Sequence, residues 1–252
     1  YVQASLHAEE LPGMLAAFHL RALLAAAEEQ GRLRGEVVLV PVANPIGLAQ
    51  RLDHKSMGRF ELGSSENFNR HYPDLAAAIH AGIKDQLGND TTLNTALVRT
   101  AVRAWVDQWQ PSNALQSLRK TLVALACDAD LVLDLHCDCE AVLHLYTETP
   151  CWPRLEPLSR LLGARAVLLA QDAGGVSFDE CFSGLWWKLA ARLKQDGLDH
   201  PLAQACASAT VELRSEAEVS HDLAAADAAA IFGFLQREGI IDDPAPALPA
   251  AL

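Results

Sequence analysis

No apolar run in the 252-residue chain approaches the ~20 residues that a membrane span requires, and no basic segment leading into an apolar stretch opens it as a secretion signal would. Positive charge is in short supply, with 20 Lys and Arg against 32 Asp and Glu, for a net charge of −12. A nucleic-acid binder would need a basic patch or stripe, and the net charge argues against that class; a broadly acidic surface mostly serves solubility. The six cysteines (Cys127, Cys137, Cys139, Cys151, Cys181 and Cys206) lack the spacing of a disulfide framework. In a chain this long they read as reduced, mostly buried thiols, which points to a reducing, cytoplasmic setting. Gly174-Gly175 has no Gly-rich strand-to-helix fingerprint around it and reads as a loop turn, not a phosphate cradle. The first residue is Tyr1 and the chain enters a strand at once, so a fragment or processed chain lacking an N-terminal segment is expected.

What is present suits an enzyme core. Half of the residues are hydrophobic, enough at this length for one large α/β domain with a substantial interior. Strand-length apolar runs are expected at 2–6, 37–42, 131–136, 141–146, 166–169 and 209–213, and helices at 11–30, 75–86, 93–109, 115–127, 155–162, 181–194 and 222–236. Gly31 stands where a helix C-terminal cap belongs. Strands alternating with helices argue for a mostly parallel sheet covered on both faces. Ligands bind such sheets beyond the carboxyl ends of the strands, where His7, Asn44, His136 and Glu212 are all expected. The loop 51–73 is long, polar and without clear periodicity.

Two short stretches carry chemistry: His7-Ala8-Glu9-Glu10 after the apolar start, and Asp134-Leu135-His136 at the end of the run from Asp130. An imidazole and a carboxylate three residues apart at a strand-to-helix turn can face one point. A second imidazole at another strand's end completes a two-His, one-carboxylate set of the kind that holds zinc with one coordination position left for water. Glu9 is the rival to Glu10. Cys137 and Cys139 flank His136 and invite thiolate ligation, but alternation along a strand turns both away from the face shared by Asp134, His136 and Asp138.

Three further segments add to these: Asn44-Pro45-Ile46-Gly47, Asn67-Phe68-Asn69-Arg70-His71-Tyr72-Pro73 and Thr210-Val211-Glu212-Leu213. In this order, all of them together resemble the succinylglutamate desuccinylase/aspartoacylase family, a branch of the zinc carboxypeptidase-like hydrolases, from Leu6 to about Leu235. The resemblance implies an α/β fold with a mostly parallel, mixed central sheet and helices on both faces. It implies a catalytic domain over 1–240 and a linker-like tail over 241–252, which in relatives leads to a small β domain absent here. One Zn²⁺ per chain would be held by His7, Glu10 and His136; the following Leu11-Pro12-Gly13 matches the family with Glu10, not Glu9, as ligand. Glu212 would be general base and then acid. Arg59 would polarise the scissile carbonyl, Asn69 and Arg70 would hold a substrate carboxylate, and Asp134 would orient a ligand from behind. The chain departs from the family pattern in three places. It carries Asn67-Phe68-Asn69-Arg70 where relatives commonly read Asp-Leu-Asn-Arg, Ala8 where they have Gly, and a longer stretch after Arg59-Phe60.

The implied activity is hydrolysis of the amide bond of a small, carboxylate-bearing N-acyl amino acid or related compound. No nucleic-acid or membrane partner is expected, and homo-oligomerisation is left open. A carboxypeptidase or peptide amidase with the same zinc machinery is the enzymatic alternative. A non-catalytic binding domain on the same fold is the alternative from another class. His71 and His144 are candidates to line the pocket, because an imidazole titrates near neutrality. Trp105, Trp109, Trp186 and Trp187 fall in helical patterns and read as core packing.

Overall fold

A computed structural model describes residues 1–171 and 174–250; the last two residues of the expected tail therefore lie outside the described residues. In chain order the elements are β1 (Val2–Ala4), α1 (Leu11–Glu29), β2 (Leu39–Val40), α2 (Pro45–Ala49), β3 (Arg51–Leu52), β4 (Lys55–Ser56), α3 (Leu75–Ile83), α4 (Thr91–Gln108) and α5 (Ala114–Ala126). They continue with β5 (Leu131–Asp138), β6 (His144–Glu148), α6 (Trp152–Leu162), β7 (Ala166–Ala170), α7 (Phe178–Gln195), β8 (Ala207–Ser215) and α8 (His221–Arg237). Six strands form one sheet in the order β2-β1-β5-β8-β6-β7. Every pairing is parallel except β6 with β8. This is the expected α/β class with a mixed, mostly parallel sheet.

The pattern of β5 explains the layering. Strands buried on both faces read as near-continuous apolar runs, and alternate residues of Leu131-Val132-Leu133-Asp134-Leu135-His136 feed two separate cores. Leu131, Leu133 and Leu135 pack with residues of α1, α6 and α8 on one face. Val132 packs with Phe68, with residues of α3, α4 and α5, and with Phe178 of α7 on the other. Asp134 and His136 share the Val132 side, so the layer that α7 covers contains the polar groups. Close approach of α1 to the sheet depends on Gly13: a Cβ there would meet Leu135 O at 3.0 Å and Ala4 Cβ at 3.1 Å.

Several elements depart from the sequence expectation for physical reasons. The first strand stops at Ala4, not residue 6, because Ser5 adopts a left-handed conformation with φ of 64°. The second strand contracts to Leu39–Val40. The fourth expected strand, 141–146, becomes β6 at His144–Glu148, where pairing with β8 sets its start. The polar loop after α2 contains a small hairpin, β3 and β4, which pair antiparallel. Helix α2 begins at Pro45 with Asn44 as its N-cap, the Asn44 side chain accepting from Gly47 N–H. Gly31 lies just past α1 with φ of 66°, as its capping role requires.

Beyond α8, Ile241 is buried and pairs with Leu33 as an isolated bridge. The segment after it packs back on the body. Asp242 and Asp243 pair with Arg34 and Arg32, and the Pro249 carbonyl accepts from Arg160 Nε at 2.7 Å.

Candidate metal centre

The left-handed turn at Ser5 ends β1 and turns the chain toward α1, carrying Leu6, His7 and Glu10 past the carboxyl end of the sheet. Asn44 secures this turn: its Nδ2 donates to Leu6 O at 2.8 Å while its Oδ1 caps α2 through Gly47 N–H. A Cβ on Gly47 would come within 2.5 Å of that same Nδ2. The Asn-Pro-Ile-Gly segment thus acts by holding the turn that carries His7. A second strap comes from Gly58, whose carbonyl accepts from Ala8 N–H at 3.1 Å and whose N–H donates to Glu9 Oε2 at 2.5 Å. Glu9, the rival ligand, is occupied there.

Glu10 instead reaches both imidazoles. Its Oε1 lies 2.9 Å from His7 Nδ1 and its Oε2 lies 2.8 Å from His136 Nδ1. The three residues are buried, and among the described residues they form the one group of His, Cys, Asp and Glu side chains placed to hold a metal ion, with ligand atoms within 4.8 Å of one another. The outer ring nitrogens face oxygen: His7 Nε2 lies 2.9 Å from Asn67 Oδ1, and His136 Nε2 lies 2.9 Å from Asp134 Oδ2. Asp134 is itself steadied by Gln3 Nε2 at 2.9 Å. Two Nδ1 atoms converging on one carboxylate, with an oxygen 2.9 Å from each outer ring nitrogen, match the donor set and outer surroundings of a zinc site.

The electrostatics are those of a cluster arranged around positive charge. Burial disfavours the charged form of His136, but the Asp134 and Glu10 carboxylates outweigh it and hold the imidazolium well above the ordinary histidine range. Burial lowers His7, and the adjacent His136 charge adds to that, with the Glu10 hydrogen bond opposing both. Burial also works against an ionised Glu10, yet the charge and hydrogen bond of His136 and the hydrogen bond from His7 leave it far below the usual carboxylate range. A divalent cation among these side chains would supply the positive charge that the two carboxylates favour.

Glu212 stands on β8 in register with His136 of β5 and opposite His144 of β6. Burial raises its carboxyl, partly offset by the His136 charge, and its Oε2 has no hydrogen-bond partner among the described residues. The ladder breaks just beyond it at a bulge, where Arg214 has φ of 65° and forms a bidentate pair with Asp227 of α8. His144 is buried, its Nδ1 held by Val142 O at 2.8 Å.

The loop 59–70 contributes the remaining predicted residues. Arg59 is part-exposed, with Nη2 3.3 Å from Glu10 Oε1. Asn69 is buried; its Oδ1 accepts from Phe178 N–H at 2.8 Å and its Nδ2 lies 3.5 Å from His136 Nε2. Arg70 donates from Nη1 to Asn69 O at 2.7 Å and rests against Gly175, where a Cβ would meet its Cδ at 3.2 Å. His71 is exposed, with its N–H on Gly175 O.

The cysteines take no part as ligands in this arrangement. The Cys137 thiol is buried and pushed far up by burial and by the Glu10 and Glu212 charges, while its backbone N–H donates to Glu10 Oε2 at 3.1 Å. Cys139 is exposed just past the end of β5. Trp186 is buried in the core and Trp187 Nε1 donates to Glu148 Oε1. Asn67 behind His7 and the tie between Glu9 and Gly58 had no local sequence signal; only the fold brings these partners together.

The family model for the succinylglutamate desuccinylase/aspartoacylase catalytic domain matches residues 1–237. No curated protein matches the chain by sequence. Among solved structures, a protein from Shewanella frigidimarina NCIMB 400 described by the same family name is similar with a TM-score of 0.83 and 25% identity, over 100% of this chain and 66% of its own. A family protein from Shewanella amazonensis SB2B is similar with a TM-score of 0.80 and 27% identity, over 100% of this chain and 67% of its own. The chain thus spans about two thirds of the length of these two relatives. A protein from Shewanella amazonensis SB2B described as a metallopeptidase shares the fold, with a TM-score of 0.57 at 17% identity over 96% of this chain and 77% of its own. The chain therefore belongs to the succinylglutamate desuccinylase/aspartoacylase family.

Proposed function

We propose that the chain is a zinc-dependent amidohydrolase that cleaves the amide bond of a small N-acyl amino acid or related compound bearing a carboxylate. The observation that carries this reading is the convergence of His7 Nδ1 and His136 Nδ1 on the Glu10 carboxylate, with an oxygen behind each ring. One zinc per chain would be held by His7, Glu10 and His136. When bound, it supplies a Lewis acid that brings the pKa of water toward ~7 and polarises a carbonyl.

The chain's own residues divide the rest of the work. Glu212, with its carboxyl raised by burial, takes the proton from the attacking water and delivers it to the departing amine nitrogen. The water oxygen becomes bonded to the acyl carbon, the C–N bond breaks, and the products are a carboxylic acid and an amine. Arg59, part-exposed above Glu10, donates to the carbonyl oxygen as negative charge gathers there. Asn69 and Arg70 hold the substrate carboxylate, the guanidinium supplying a planar pair of donors.

The test is a panel of N-acyl amino acids incubated with the zinc-loaded chain, with free amine measured. Glu212→Gln keeps the shape but cannot accept the water proton. It should retain zinc and lose on the order of 10²- to 10⁴-fold in turnover. Wild-type turnover in that variant would refute the assignment, as would a carboxylate-bearing panel that the zinc-loaded chain leaves intact.

A further inference from the structure

On the face that carries Glu212, the sheet is uncovered beside the site. Register places His144 opposite Glu212, Tyr146 opposite Thr210, and Leu168 of β7 beside Tyr146. Alternate strand positions share a face, so Thr210, Tyr146 and Leu168 form one row next to the row of Glu212 and His144. Diagonal neighbours across an antiparallel pair lie about 7–8 Å apart, and Tyr146 is such a neighbour of Glu212. The His144 ring stands edge to face against Tyr146, with centroids 5.3 Å apart. One row further from the site, Glu148 is buried under α7, where Gly184 lies against it and Trp187 donates to it. Tyr146 and Leu168 escape that cover and are 39% and 42% exposed. The bare shelf is thus one row deep, closed at its far end by α7 and continuous with Glu212 at its near end.

The chain between β7 and α7 also meets the residues assigned to the substrate carboxylate: Gly175 rests against Arg70, and Phe178 N–H donates to Asn69 Oδ1 at 2.8 Å. A substrate with its carboxylate on Asn69 and Arg70 and its amide nitrogen at Glu212 has the shelf as the apolar surface adjoining its amine half. The charges that bear on Tyr146 are those of Glu212 and Asp138, both negative. Lys188 acts on Glu148 from α7, its Nζ 5.3 Å from the Trp187 ring centroid. An acidic side chain on the shelf would face like charge, whereas an apolar one would bury against Tyr146 and Leu168. We propose that Tyr146 and Leu168 form the subsite for the side chain of the amine half and take an aliphatic or aromatic side chain in preference to an acidic one, so that the substrates are N-acyl derivatives of apolar amino acids. This rests on the reading of the chain as an N-acyl amino acid amidohydrolase.

The experiment compares N-acetyl and N-succinyl derivatives of glycine, L-leucine, L-phenylalanine, L-aspartate and L-glutamate as substrates of the zinc-loaded chain. The same compounds are titrated calorimetrically into Glu212→Gln, which turns them over slowly. The leucine and phenylalanine compounds should exceed the two acidic ones by roughly 10- to 200-fold in kcat/KM, and Kd should rank the compounds in the same order. Tyr146→Ala should narrow that gap, with the glycine compounds, which have no side chain to place, losing least. Leu168→Arg, at an exposed position of the edge strand, should raise kcat/KM for the glutamate compounds by about tenfold or more, because a guanidinium then faces their side-chain carboxylate. Acidic compounds preferred by the wild type, equal losses for all compounds in Tyr146→Ala, or an unchanged preference in Leu168→Arg overturns the proposal while the amidohydrolase reading stands. Neither cleavage nor binding of any compound overturns that reading, and the proposal with it.

Discussion

Glu148 closes β6 beneath α7, 3% exposed, its Oε1 accepting from Trp187 Nε1 at 2.8 Å. Burial pushes its carboxyl up to about 7 from the usual 4.5; hydrogen bonds from Ser183 and Trp187 and the charge of Lys188 oppose this, while Asp179 adds to it. The folded pKa is raised, so below pH 4.5 both folded and unfolded chains keep the proton and nothing is lost. Between about 4.5 and 7 the unfolded chain releases a proton that the folded chain retains, and stability falls as pH rises. Above 7 the loss is complete, and at 1.36 kcal/mol per pKa unit it amounts to roughly 3 kcal/mol. Glu148→Gln keeps the acceptor for Trp187 and removes the titration. Thermal unfolding of both proteins at pH 5 and pH 8 should therefore diverge, with the variant gaining most of that energy at the higher pH. For a chain of this size the relative gain is about 6–12 °C in Tm, at ~2–4 °C per kcal/mol. Parallel dependence of Tm on pH in the two proteins would refute the raised carboxyl.

Arg70→Ala should lower kcat/KM by roughly 30-fold to several thousandfold, the ~2–5 kcal/mol of a truncated buried charge pair, and Lys should recover only part of it because a point charge does not reproduce the planar fork. Amidating the substrate carboxylate should hurt wild type far more than Arg70→Ala, and equal losses would show that Arg70 does not read that group. Ser5→Gly should stabilise the chain by about 1 kcal/mol, since glycine adopts the left-handed conformation without strain; a lower Tm in the variant would show that the Ser5 conformation stores no strain.

The core of the site was legible because strand ends are defined by pattern. The apolar run from Leu131 carries Asp134 and His136 on one face near its end, the first strand ends near His7, and a parallel sheet gathers such ends at one edge. The preference for Glu10 over Glu9 came from the family pattern; in the fold Glu10 lies between both imidazoles while Gly58 N–H meets Glu9. The early end of β1 was hidden because Ser5 carries no mark of a left-handed residue, unlike a glycine. The β3–β4 hairpin was hidden for the same reason: its two-residue turn is Asp53-His54, both with positive φ, in place of the Asn-Gly or Asp-Gly that signals such a turn. Strand β6 was misplaced by a few residues because its limits follow from antiparallel pairing with β8, not from its own hydrophobicity. Asn67 stood out in sequence only as a departure from the family pattern; its contact with His7 spans sixty residues of chain.

The most direct test is metal content. Purified without chelators, the wild-type chain should hold about one zinc, and His136→Ala should lose it while its circular dichroism and compactness remain those of the wild type. A wild-type chain that takes up no zinc, or a His136→Ala variant with unchanged zinc content, would contradict the account at its centre.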